Sequence, residues 1–287
     1  MGAIIKRELS NYFKTPLGYI FMGLFLLVTG FFFAYGNLVR SSPDFNQFLQ
    51  TVLFVYLFAI PLLTMRLLSE ERNQQTDQLL FTSPVRLGSI VGAKFLAAFL
   101  MFVITLAVTA LYAIVIAIHG DLAVWETVGA YIGFILLGGC FIAVGVFVSA
   151  LSENQVTSAF FTFFVLLLIW LIDPVKQVAP SETVFGVIFV AIIGAAIAFF
   201  LYLNTRSWLV SGIFLLLAAA AIVVTLLVDA GMYRGIIAKV LDWFSLLSRF
   251  NNFALGILKL NVVVFYASFI GVFLFLTVRI LEKRRWA

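Results

Sequence analysis

Long apolar stretches separated by short polar connections dominate the sequence. Each stretch is close to or above the roughly 20 residues that a helix needs to cross about 30 Å of hydrocarbon. Because a segment in lipid must satisfy its own backbone hydrogen bonds, we expect every stretch to be helical. The pattern therefore predicts an all-α, polytopic membrane protein. The eight predicted spans are residues 17–39, 48–68, 90–118, 127–151, 156–172, 183–203, 208–228 and 260–281.

Two of these spans have unusual lengths. The third is long, so we expect it to tilt or to extend past the bilayer. The fifth is short, and the dipeptide Asp173-Pro174 is predicted to end it, because proline disfavours a helical conformation in the residue before it.

Two other segments have the apolar periodicity of surface helices. Residues 1–16 place Ile4, Ile5, Leu9, Tyr12 and Phe13 on one helical face, opposite Lys6, Arg7, Ser10, Asn11 and Lys14. This pattern predicts an amphipathic helix lying on the membrane, with a frayed basic terminus as the alternative. Residues 230–259 predict an outer amphipathic segment with Trp243 and Phe244 at headgroup level, or else a plain loop.

A polar island interrupts the apolar pattern at residues 66–86, RLLSEERNQQTDQLLFTSPVR. Its charged residues precede the apolar step Leu79-Leu80-Phe81, and Ser83-Pro84 has the chemistry of a new helix start. We therefore predict a cytosolic element over residues 69–89 that contains a short amphipathic helix. Such a helix can dock into a groove of a soluble partner, and a solvated loop without a partner is the alternative.

Composition and charge agree with this membrane topology. The 287 residues are 64% hydrophobic and 11% charged, with a mean hydropathy of +1.16. An even number of spans puts both termini on one side. Lys and Arg then divide 12 to 6 in favour of the side that carries the termini and residues 69–89, which predicts that this side is cytoplasmic. The positive charge is thus a topology signal, and we expect no nucleic-acid partner.

The residues needed for catalysis or metal binding are scarce in this sequence. It has one cysteine, Cys140, and one histidine, His119, and it lacks a phosphate-binding GxxxxGK[ST] motif. The carboxylates Glu153, Asp173 and Asp229 fall at span ends, which argues against ion-coupled transport. We therefore expect no enzyme activity, no metal and no cofactor in this chain, so any energy supply must come from another subunit.

Some polar residues inside the spans allow two interpretations. Thr105, Thr109 and Tyr112 share one face of the third span, where they could line a substrate path or bond to backbone and neighbouring helices. For Ser158 and Thr162 we expect a packing role.

Two glycine pairs and one lysine allow predictions about the surroundings of the third and fourth spans. Gly88 with Gly92 and Gly129 with Gly133 have the spacing that permits close helix approach. Lys94, one turn into the third span, is predicted to extend its ammonium group to the headgroups.

The stretch PLLTMRLLSEERNQQTDQLLFTSPVRLGSIVGAKF, residues 61–95, resembles the signature of ABC transporter permeases of the type 2 (drug and polysaccharide exporter) superfamily. It is most similar to the gliding-motility-associated branch and its nitrous-oxide-reductase-maturation relatives. Gln75 and Gln78 depart from the Gly and Glu that are usual there. The starting segment 4–20, the turn LSENQ at 151–155, and residues 247–257 and 273–286 also resemble the family. The matching signature residues are Pro61, Thr64, Met65, Arg66, Glu70, Glu71, Thr76, Leu79, Leu80, Thr82, Pro84, Val85, Gly92, Lys94 and Phe95.

The resemblance implies one permease domain over residues 1–287, with a six-helix core and an inserted hairpin at 183–228. It implies a multi-pass subunit of the bacterial cytoplasmic membrane that pairs with a second permease copy or paralogue. A separate cytosolic ATPase would hold ATP and Mg²⁺, and an extracytoplasmic auxiliary subunit is left open as a further partner. Residues 70–84 would be the coupling helix. The implied ATPase-contact residues are Arg66, Glu70, Glu71, Arg72, Thr76, Leu79, Leu80, Thr82 and Pro84, with a second contact at Glu153, Asn154 and Gln155.

The function predicted on this basis is that of a permease subunit of an ATP-driven exporter. The alternative is a mechanotransmission subunit that moves no substrate and acts on an envelope partner through residues 230–259. A lipid-modifying membrane enzyme would need converging ionisable residues that the sequence does not offer. A passive channel would conduct without an ATPase.

Overall fold

The computed structural model describes residues 2–40, 45–75, 86–119 and 122–285, and these residues form helices without any strand. Among them, eight helical stretches are long and apolar enough to cross a membrane, which confirms the predicted fold class. The helices are Gly2–Lys14 (α1), Pro16–Phe33 (α2), Phe45–Val52 (α3), Tyr56–Thr64 (α4), Ser69–Asn73 (α5), Leu87–His119 (α6), Val124–Leu151 (α7), Gln155–Val178 (α8), Thr183–Thr205 (α9), Trp208–Asp229 (α10), Ile236–Phe244 (α11), Leu247–Ala254 (α12) and Leu260–Arg285 (α13).

Short turns of other hydrogen-bond spacing join several of these helices. A π-helical segment, Ala34–Val39, extends α2, and the 3₁₀ turn Leu53–Val55 connects α3 to α4. A further 3₁₀ turn, Ala230–Tyr233, follows α10. The second predicted span is therefore several helical pieces, with Pro61 inside α4.

The chain divides into two compact units. The first comprises Met1–Ile169 and Leu246–Ala287, and the second comprises Trp170–Ser245. The predicted hairpin at 183–228 lies within the second unit as the antiparallel pair α9 and α10. Arg206, in the left-handed conformation with φ 52°, ends α9 and reverses the chain.

Helix α7 forms the centre of the first unit. Its most apolar window is 78% buried, a larger share than for any other candidate span in the described chain. Phe134 and Phe141 are fully buried and contact Tyr56 of α4, whose hydroxyl donates to the Phe134 carbonyl oxygen at 2.6 Å. On the face toward α4, a Cβ at Gly145 would lie 2.3 Å from Thr64 Oγ1. This face thus needs glycine for its close contact with α4.

Helix α12 is part of this core, which differs from the predicted outer segment at 230–259. The segment contains two helices that belong to different units, and Phe250 and Phe253 of α12 are fully buried. An apolar stripe has the same periodicity whether it faces lipid or protein, so the sequence did not distinguish these environments. Trp243, on α11 in the second unit, is exposed.

The two predicted glycine pairs have different outcomes. A Cβ at Gly133 would lie 2.6 Å from Phe253 Cβ, and one at Gly129 would lie 2.8 Å from the Phe253 carbonyl oxygen. This pair is a close contact between α7 and α12, which confirms the prediction. Around Gly88, in contrast, a Cβ would meet no atom of the described chain within 4 Å.

The fifth span does not end at Asp173-Pro174, so that prediction was wrong. Helix α8 continues to Val178 with Pro174 inside it. Proline removes one backbone donor, but the residues around it are held by side chains of the second unit. Asp173 pairs with Lys176 at 3.2 Å and accepts a hydrogen bond from Ser245 Oγ at 2.7 Å. These contacts stabilise the turn that contains the proline.

Replacing Gly133 with alanine should destabilise the protein by about 1–3 kcal/mol, because the added methyl group forces Phe253 out of place. Gly88→Ala is the matched control, since it adds the same group in open space and removes a helix-weakening glycine. SDS unfolding titrations of the purified protein compare the two variants. Equal stability of both would contradict the close packing of α7 and α12.

Candidate coupling site

The described part of the polar island is a helix break anchored on α7. Helix α4 ends at Thr64, and the short helix α5 follows from Ser69. Across the break, the backbone amides of Leu68 and Ser69 both donate to Ser149 Oγ on α7, each at 3.1 Å. Gln75, with φ 54°, is in the left-handed conformation after α5. The predicted contact residues Thr76, Leu79, Leu80, Thr82 and Pro84 lie outside the described residues.

Lys94 on α6 is buried, and the prediction that it reaches the headgroups was wrong. Its side chain is only 4% exposed, and its Nζ lies 2.8 Å from a Glu71 carboxylate oxygen and 3.7 Å from one of Glu8. The reason is that α1 packs on the first turns of α6 and covers the lysine. A buried ammonium group is stable only with charge partners, and α1 and α5 each supply a carboxylate.

Glu8 is the site residue that the sequence analysis missed. Its side chain is 13% exposed, and Glu8 Oε1 accepts a hydrogen bond from Arg7 Nη2 at 2.8 Å in addition to facing Lys94. The sequence did contain an indication of this role. Glu8 is four residues after Ile4 and four residues before Tyr12, so it lies on the same helical face as these two residues. A carboxylate on the buried side of an amphipathic helix requires a cation nearby.

Helix α1 has the predicted amphipathic form. Ile4, Ile5, Leu9 and Tyr12 are half-buried, whereas Phe13 is 37% exposed and departs from the predicted apolar face. The Tyr12 hydroxyl donates to the Leu63 carbonyl oxygen at 2.7 Å. Burial raises the pKa of Tyr12 well above its ordinary value, so the hydroxyl stays protonated and remains a donor. This bond ties α1 to α4.

Arg66 and Glu70 form a two-contact pair at the break. Arg66 Nε donates to Glu70 Oε2 at 2.8 Å, and Arg66 Nη2 contacts Glu70 Oε1. The two side chains are about 30% and 26% exposed. Such a fork has fixed geometry and joins the helix break to the first turn of α5.

Arg72 connects the polar island to the turn at 151–155. Its guanidinium donates to Glu153 Oε1 at 2.7 Å and to the Leu151 carbonyl oxygen at 3.1 Å. Asn154 Oδ1 accepts from the Thr157 amide at 2.8 Å and so caps α8, which begins at Gln155. The structure thus brings the two predicted contact regions together.

We call the charged residues that meet in these contacts the charged end of the first unit. It joins α1, the helix break, the start of α6 and the turn at 151–155 through intrachain ion pairs. Its members are Arg7, Glu8, Arg66, Glu70, Glu71, Arg72, Lys94 and Glu153.

The hydroxyl groups on α6 pack against protein. Thr105 Oγ1 donates to the Met101 carbonyl oxygen at 2.9 Å, and Thr109 Oγ1 to that of Leu106 at 2.6 Å. Tyr112 donates to Leu26 of α2. These bonds favour the packing interpretation over a substrate path. Ser158 and Thr162 are fully buried, as expected for packing, although their hydroxyl oxygens have no hydrogen-bond partner in the described chain.

A comparison with known protein families gives one match, which covers part of the charged end. Residues 40–172 match the family model described as "ABC-2 family transporter protein". The match supports an ABC-2 type permease, a class of membrane subunit of ABC transporters. The matched segment includes the helix break, α6, α7 and the turn at 151–155. No curated protein matches the sequence significantly.

Replacing Lys94 with methionine should cost about 3 kcal/mol of stability, because it leaves the largely buried Glu71 without its close cation and deprives Glu8 of its second one. The further change Glu71→Leu should recover part of that loss by removing one unpaired charge. Arg279→Ala is the control, since it breaks an exposed pair with Glu282 and should cost less than about 1 kcal/mol. SDS unfolding titrations measure these three variants and the single change Glu71→Leu, which completes the double-mutant cycle. Additive losses for the Lys94 and Glu71 changes would contradict the pairing.

Proposed function

We propose that this chain is the permease subunit of an ATP-driven ABC exporter, and that a separate cytosolic ATPase binds at the charged end. The observation that carries the proposal is the family match over residues 40–172, which includes both predicted contact regions. In the structure, Arg72 Nη2 and Glu153 Oε1 lie 2.7 Å apart. A single partner surface can therefore reach both the polar island and the turn at 151–155. ATP and Mg²⁺ would be bound by that partner.

The topology in this proposal has both termini in the cytoplasm of a bacterial cell and a second permease copy or paralogue beside the first. The Lys and Arg distribution supports this orientation. The contacts are consistent with it, because Glu8 near the amino terminus and Glu71 of the polar island share Lys94. The amino-terminal helix and the polar island, both predicted to be cytoplasmic, are therefore in contact within the first unit.

Movement of the ATPase would reach the spans by two routes. One runs from α5 to α7, through the amide bonds to Ser149 and the Arg72 bond to Leu151. The other runs from Glu71 to Lys94 on α6 and then to Glu8 on α1. ATP can drive such a change only if the ATPase binds one arrangement of these helices more tightly than another.

The first test is co-purification with a co-expressed candidate ABC ATPase. Leu79→Asp combined with Leu80→Asp should abolish the complex, since a carboxylate in an apolar groove is strongly disfavoured. Leu258→Asp is the control, because Leu258 is exposed and lies on the predicted opposite side of the membrane. Retention of the ATPase by the double variant would overturn the coupling assignment. Uptake of labelled candidate substrates into inverted vesicles then tests export against a purely mechanical role.

A charge swap separates intrachain packing from partner contact. Arg72→Glu combined with Glu153→Arg keeps the ion pair but inverts both charges toward the solvent. Stability should change by only about 1 kcal/mol, mainly from the lost bond to Leu151. Binding of the ATPase, measured by its stimulated ATP hydrolysis, should weaken by roughly tenfold. Unchanged stimulation would restrict this pair to a structural role.

A further inference from the structure

A cavity of about 390 Å³ opens at the charged end. It lies between α1, the helix break and the start of α6, within the first unit. Its size is in the range of about 300–1,000 Å³ that is usual for ligand sites.

The lining combines balanced charge with an apolar wall. Two half-buried leucines contribute to the wall. Leu17 is at the start of the first span, and Leu62 is in the last turn of α4. The polar side also includes Asn11, Tyr12 and Gln74. The charged lining residues are Arg7, Arg66, Lys94, Glu8, Glu70 and Glu71.

Among the described lining residues, three cations and three carboxylates are joined in ion pairs, so the charge of the cavity is balanced. A ligand with a net negative charge would gain from the arginines but be repelled by the glutamates, and the reverse holds for a cation. A ligand with both charges close together can contact both sets. Arg66 has five N–H donors, and its pair with Glu70 occupies only Nε and Nη2.

We propose that this cavity binds the headgroup of a zwitterionic phospholipid, whose phosphate faces the arginines and whose primary ammonium faces the glutamates. A lipid is favoured over a soluble phosphoester because of where the cavity lies. An amphipathic helix such as α1 is typical of the headgroup level, and Leu17 is at the start of the apolar span against which acyl chains would lie. The bound lipid would hold α1 against the helix break.

The headgroup chemistry predicts a specific preference. Phosphatidylethanolamine carries an ammonium group that donates hydrogen bonds to carboxylates. The quaternary ammonium of phosphatidylcholine cannot donate them, and phosphatidylglycerol lacks a positive charge. We therefore expect phosphatidylethanolamine to bind about tenfold more tightly than either, as loss of a charged hydrogen bond would give.

Native mass spectrometry of the purified full-length protein, titrated with each lipid in detergent, tests the proposal. The expected result is one retained phosphatidylethanolamine with the stated preference. Equal retention of all three lipids would overturn it. Soluble glycerophosphoethanolamine forms a further arm, and competition by it at the same concentration as the lipid would refute the lipid assignment. No ATPase is present, so failure here leaves the proposed permease function untouched.

A paired variant locates the bound lipid. Arg66→Gln with Glu70→Gln keeps the cavity neutral and its side chains similar in size, and should reduce retention of phosphatidylethanolamine about tenfold. Arg279→Gln with Glu282→Gln is the matched control, because it neutralises an exposed pair far along the chain on α13. Undiminished retention by the Arg66 and Glu70 variant would contradict the site. The headgroup comparison on the unmodified protein still decides the question if this variant fails to fold.

Discussion

The buried ammonium group of Lys94 is the constraint on which the charged end depends. An unpaired charge at 4% exposure would be expelled or neutralised, so its carboxylate partners are structural requirements. One partner, Glu71, follows the helix break, and the other, Glu8, is on the amino-terminal helix. A single lysine on α6 therefore fixes the positions of two elements that are more than 60 residues apart in sequence.

The same end relies on backbone groups that the helix break leaves without helical partners. The break between α4 and α5 leaves backbone amides whose hydrogen bonds lipid could not satisfy. Ser149 Oγ accepts hydrogen bonds from two of these amides. Its helix α7 is the most buried of the candidate spans in the described chain, so it offers a firm support. Arg72 adds a bond to the Leu151 carbonyl group at the end of that helix, where a cation is favoured. The polar island is thus attached to the centre of the first unit.

The features that depend on a local pattern were predictable from the sequence. The contacts between residues that are distant in sequence were not. Span length and apolar continuity predicted the eight helices, and periodicity predicted α1. Lys94 and Glu71 are 23 residues apart in sequence, and a lysine near a span end has the same local pattern whether it reaches headgroups or a carboxylate. The burial of Phe250 in α12 likewise depends on Gly133, which no local pattern near residue 250 reveals. Glu8 alone carried a readable signal, a charge on an apolar helical face.

Helix α5 illustrates why such an arrangement would suit the proposed coupling role. With five residues, Ser69–Asn73, it is too short to be stable by its own hydrogen bonds, since isolated helices need about 12–15 residues even to be marginal in water. Its shape is therefore maintained by Arg66, Lys94 and Glu153 through side-chain pairs. Pairs at partly exposed positions contribute little individually, so a partner that competes for one of them can move α5 at modest cost. The deeply buried pair with Lys94 resists such exchange, and a force on α5 would then pass into α6 and α1.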